Sequence, residues 1–143
     1  MQENTEGMIA LLPTETGWCN IELPHLTLVY LGEISDFKVT SLNDLVKEVI
    51  SASRSTKPLM LKVLKTEVFG DDEKVDVFRL EETKELLTLR SRFEEYDGSE
   101  FPFRPHVTIG PAGGQAMAKP LVLTFDRILL AWGDRQFHYR LEG

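Results

Sequence analysis

Two stretches decide the fold: Pro24-His25-Leu26-Thr27-Leu28-Val29-Tyr30-Leu31-Gly32 and Pro105-His106-Val107-Thr108-Ile109-Gly110. Each opens on Pro-His, runs on through β-branched and aliphatic residues, and reaches a glycine, as a short strand bounded by a turn does. Side chains alternate between the faces of a strand, so His25 and Thr27 project together, as do His106 and Thr108. Leu26 and Val107 point the other way. The two copies lie about half a chain apart, the pattern of a duplicated half-domain.

Around these anchors the hydrophobic period changes several times. Met8 to Pro13 reads as a strand, and Thr14 to Leu23 as a loop. Leu42, Leu45, Val46, Val49 and Ile50 recur at helical spacing, with Ser41 as the N-cap. Leu59 to Phe69 and Val75 to Leu80 form a hairpin across Gly70-Asp71-Asp72-Glu73, a solvated acidic tip. A helix is predicted from about Thr83 to Tyr96, stopped by Gly98 in a left-handed conformation. Strands follow at about Phe103 to Ile109, Leu121 to Trp132 and Gln136 to Leu141. This mixed order with several hairpins is α+β, with helices outside antiparallel sheet.

If the halves pack about an approximate two-fold axis, two imidazoles and two hydroxyls meet in one cleft. That set suits a phosphodiester: one neutral imidazole takes a proton from an attacking hydroxyl, and the other, protonated, gives one to the departing oxygen. Histidine fits both tasks because its ordinary pKa of about 6.5 lets both forms exist near neutrality. Thr27 and Thr108 can hold the non-bridging oxygens. A catalytic zinc usually takes three protein ligands, and neither a cysteine pair nor a His-Glu-x-x-His helix is present, so no metal and no cofactor is expected.

Three further residues are candidate substrate contacts. Arg104 lies two places before His106 and shares its face. Arg79 is a second possible anion contact. Trp18, in the loop before the first motif, can either stack on a base or pack beneath that loop. Tyr30, an odd number of residues from His25, is expected in the core, and His138 is expected to be structural.

The composition narrows the ligand. With 42% hydrophobic and 27% charged residues the chain has the make-up of a globular domain. Its formal charge of −7 disfavours a long nucleic-acid duplex, whose binders carry a basic face. A nucleotide or short oligonucleotide is the expected partner. Cys19 is the single cysteine, and Met1 to Gly7 is polar and acidic; a cytoplasmic monomer with no membrane contact is expected.

These motifs resemble the signature of the two-histidine (2H) phosphoesterase superfamily, which includes 2′-5′ RNA ligase-like proteins and 2′,3′-cyclic nucleotide phosphodiesterases. The run His25 to Gly32 is similar to the first family motif, Pro105 to Ile109 to the second, and Val68-Phe69-Gly70 to a strand ending before a hairpin. The resemblance implies one domain over residues 1–143, bilobal and pseudo-symmetric, with antiparallel sheets lining a central cleft and motifs at 24–32 and 105–110. It implies His25 and His106 as the catalytic pair, Thr27 and Thr108 as phosphate-binding residues, and metal-independent hydrolysis of a nucleotide or oligonucleotide phosphodiester. A 2′,3′-cyclic phosphate and a cyclic oligonucleotide signal are both substrates of that kind. Two alternatives stand beside this: RNA end processing or 2′-5′ ligation at the same site, and a non-catalytic nucleotide-binding module.

Overall fold

The computed structural model describes residues 5–114 and 118–143. Among them run β1 (Glu6–Pro13), β2 (Leu26–Glu33), α1 (Val39–Ser55), β3 (Leu59–Phe69), β4 (Val75–Leu80), α2 (Lys84–Ser91), β5 (His106–Pro111), β6 (Val122–Trp132) and β7 (Arg135–Arg140). Short 3-10 turns occupy Ile34–Asp36 and Glu94–Tyr96. Every strand pairing is antiparallel, in the order β2-β1-β6-β3-β4-β5, with β7 added to β6. The α+β class read from the sequence is the class observed. No described helix is long and apolar enough to cross a membrane.

Strand β3 carries the sheet from one half to the other. Leu59–Lys62 pair with β6, while Val63 to Phe69 pair with β4. In its first part Leu59, Leu61 and Val63 are buried while Met60, Lys62 and Leu64 are exposed, the alternation of a sheet with one face on the core. The apolar cluster beneath it is continuous through both halves, taking Leu11, Leu26 and Leu28 from one and Phe78, Leu80, Val107 and Ile109 from the other. Phe78, Phe93 and Phe125 are wholly buried within it, each worth about 1.5–3 kcal/mol relative to exposure.

Helix α1 lies against β6 and β7 and buries Leu45, Val49 and Ala52. Helix α2 buries Leu86 and Leu89. Arg92, at its C-terminus, bonds Glu48, Ser51 and Ser55 of α1 at 2.8–2.9 Å, joining the two helices.

Three local expectations are corrected. Ser41 is not the N-cap: α1 begins at Val39, and the Ser41 N–H already donates to Lys38 O. The second helix is shorter than its periodicity implied, ending at Ser91 before the separate turn at Glu94–Tyr96. Gly98 is not left-handed; its N–H is drawn instead to Tyr30 O at 2.7 Å, a tertiary bond that sequence periodicity does not report.

Strands β2 and β5 stand at opposite ends of the strand order yet touch each other. Each also receives a bond from the segment that precedes the other. The Asn20 N–H, ahead of β2, donates to Ile109 O on β5 at 2.8 Å, and the Gly98 N–H, ahead of β5, donates to Tyr30 O on β2. Edge strands need such cover, because their unpaired backbone groups otherwise invite another chain.

Candidate active site

The two Pro-His stretches build the same local device. His25 Nδ1–H donates to Leu23 O at 2.8 Å, and His106 Nδ1–H donates to Arg104 O at 2.7 Å. In each case the acceptor lies two residues back, with a proline between. The proline fixes its own φ and holds the residue before it extended, so the i−2 carbonyl is presented to the ring. A carbonyl can only accept, so Nδ1 carries hydrogen in both rings. The free position is Nε2, which in the neutral ring is a lone pair.

His106 is half-buried, and His25 lies near enough to act on it electrostatically. Burial is the main reason the His106 pKa falls below its ordinary value. The positive charges of Arg79, Arg104 and His25 push the same way, against the raising effect of its bond to Arg104 O. Its ring stands edge-on to Phe69, with centroids 4.6 Å apart and planes at 66°. Across the same Phe69 ring lie the Arg104 guanidinium, at 4.4 Å, and that of Arg79, at 5.9 Å.

The other nominated residues divide. Thr27 and His106 line one cavity of about 360 Å³, together with Phe69, Phe101, Phe103 and Arg104. His25 and Thr108 are half-buried beside it rather than in its wall; Thr108 shares the face of His106 on β5 and lies opposite Val77. Arg104 is exposed at the cavity and has no carboxylate partner among the described residues.

Arg79 does not line the cavity. It pairs with His106 across β4 and β5, and its Nη1 is committed to Glu67 at 3.3 Å, while its Nε is buried without a partner among the described residues. Lys65 and Arg79 in turn hold the Glu67 carboxyl below its usual range.

Trp18, the loop tryptophan, is turned inward. It is 6% exposed, packs on Phe78 at 6.0 Å, and spends its indole N–H on Glu15 O at 2.6 Å. Of the two readings of this loop tryptophan, packing is the one observed.

Tyr30 corrects an expectation in the other direction. Thr27 pairs with Ala10 and Val29 with Ile9, leaving Leu28 as an extra residue. Such a bulge shifts the alternation by one. Tyr30 therefore joins Thr27 on one face, is half-buried, and reaches the cavity wall. A hydrogen bond to Glu6, then burial and the charges of Glu6 and Glu33, push its phenol up to about 12. Sequence parity could not see the bulge. Phe101 and Phe103 were also missed, although their place just ahead of the second motif was a usable signal.

Comparison with known proteins agrees with this architecture. A protein of Bacillus licheniformis, provisionally named a phosphoesterase, is 32% identical over 89 residues, covering 60% of this chain and 51% of that one. The chain thus spans about half the length of the curated relatives it matches. The crystal structure of TT0787 from Thermus thermophilus superposes with a TM-score of 0.66 at 19% identity, covering 96% of this chain and 98% of that one. LigT of E. coli, solved with 3′-AMP, gives 0.58 at 16% identity, covering 97% and 96%. At those identities the likeness is one of fold. The model of the 2′-5′ RNA ligase superfamily matches residues 20–137, most of the sequence, and the chain belongs to that family.

Proposed function

We propose that this protein is a phosphoesterase that cleaves a phosphodiester in a nucleotide or short oligonucleotide, with His25 and His106 as its proton-transfer pair. The observation that carries the reading is the mirrored Nδ1–H bond, which leaves one unoccupied Nε2 on each of two neighbouring imidazoles. His106, held below its ordinary pKa, is neutral near neutrality and takes the proton of the attacking water. The water oxygen bonds phosphorus, the bond to the leaving oxygen breaks, and protonated His25 supplies that oxygen with its proton. Thr27 and Thr108 hold the non-bridging oxygens. The cavity beside them, with the rings of Phe101 and Phe103 and the cation of Arg104, suits a nucleoside carried by the same phosphate. The 3′-AMP bound by the structural relative from E. coli is a ligand of that class.

The family match also supports a second reading, in which an RNA 5′-hydroxyl attacks a 2′,3′-cyclic phosphate in place of water, the P–O3′ bond breaks, and the same imidazoles move the protons of 2′-5′ joining. Incubation with 2′,3′-cyclic nucleotides and with 2′-5′ and 3′-5′ dinucleotides, in excess chelator and followed by mass spectrometry, tests the proposal. Opening of a cyclic or internal diester to a monoester supports hydrolysis. Longer products from RNA ends support joining. Saturable binding with no product would reduce the domain to a binding module.

A further inference from the structure

Arg90, near the end of α2, has a side chain only 14% exposed, and its guanidinium is bonded in three directions. Nε–H donates to Leu28 O on β2 at 2.9 Å, Nη1 to Glu94 at 3.1 Å, and Nη2 to Asp97 at 2.9 Å. It also lies 4.4 Å from the centroid of the Phe103 ring. Asp97 extends the junction, its Oδ1 accepting from Tyr30 N–H at 3.4 Å and from Ser99 N–H at 3.0 Å.

The two ends of this junction are both next to the proposed chemistry. Leu28 is the bulged residue directly after Thr27. Phe103 directly precedes Arg104, whose carbonyl holds His106 Nδ1. A single planar group is therefore bonded to the strand of the first motif and stacked against the entry to the second.

We propose that Arg90 is a positioning residue, setting the distance between the two motifs so that both imidazoles reach one phosphorus atom. The inference rests on the function proposed above. Two groups that must flank one reacting centre tolerate little error, and a displacement of about 1 Å can cost on the order of 10²-fold in rate. Arginine suits the task because its donors are fixed in one plane, whereas a lysine ammonium is a point charge on a flexible stem.

The test measures turnover and inorganic phosphate binding in R90A, R90K and D97N, with H106A as control. In folded variants kcat should fall about 10-fold or more with KM within about threefold of wild type, the signature of lost positioning rather than lost contact. Phosphate affinity, a measure of ground-state contact, should stay near that of wild type. If R90A does not fold, R90K and D97N carry the test. A large rise in KM with kcat intact would make Arg90 a substrate contact and overturn the proposal, as would unchanged kcat in folded R90K and D97N. Wild type and H106A turning over at the same rate, or neither turning over, would overturn the functional reading and this inference together. Loss of kcat in H106A beside unaltered kcat in folded R90K and D97N would overturn this inference alone.

Discussion

Replacing His106 by asparagine should keep what that side chain does for the fold and remove what it does for catalysis. The asparagine amide lies about where Nδ1 does and can still donate to Arg104 O, now 2.7 Å from the ring nitrogen. Nothing replaces Nε2. The structural loss is chiefly the edge contact on Phe69 at 4.6 Å, a kind of pair worth about 0.5–1.5 kcal/mol. At about 2–4 °C per kcal/mol for a domain somewhat larger than this one, Tm should drop by roughly 1–6 °C. That is small against the roughly 5–15 kcal/mol that keeps a domain folded. The catalytic loss is of another order: a positioned proton-transfer group contributes about 10²–10⁴-fold, or about 2.7–5.4 kcal/mol of barrier. His25→Asn should behave alike through Leu23 O, and the double variant should be little worse than either single one, because each alone already breaks the relay. The assay is kcat on a 2′,3′-cyclic mononucleotide beside calorimetric Tm. A folded His106→Asn protein keeping more than about a tenth of wild-type kcat would refute the assignment.

Three further outcomes follow from particular contacts. Because burial and the cations around it favour neutral His106, the acid limb of kcat/KM should lie below the ordinary histidine range. Arg104→Gln, by removing one cation, should move it to higher pH, and a limb that stays put or moves down would exclude His106 as the base. The same depression costs stability in acid, since below about pH 6.5 the unfolded chain takes up a proton that native His106 resists until its lower pKa is passed. Trp18→Phe should lower stability by about 1–2 kcal/mol in urea titration, through lost packing and the lost indole bond, while leaving KM unchanged. A raised KM at unchanged stability would return Trp18 to the substrate.

Much of this fold was legible because its elements are locally consistent. The helical period from Leu42 to Ile50, the acidic hairpin tip at 70–73 and the two Pro-His strands each declare themselves within a dozen residues. What escaped was set by distant partners. Gly98 answers to Tyr30, a residue 68 positions earlier. The bulge at Leu28 reverses the facing of Tyr30, and a single sequence carries no mark of it. At the site, the paired His-x-Thr pattern nominates four residues and the sequence offers Arg79 and Arg104 singly, but their gathering with His106 around Phe69 becomes visible only once β3, β4 and β5 are laid side by side. Arg90 was silent for the same reason: on an amphipathic helix, a cation that clasps a remote carbonyl looks like any solvated one.

The crosswise cover of β2 and β5 bears on motion. Opening the jaws of this cleft would have to tear Asn20 from Ile109 and Gly98 from Tyr30, so hinge-like breathing is opposed at both rims. On the proposed function, a substrate would meet a gap whose width these two bonds already set, without a clamping stroke.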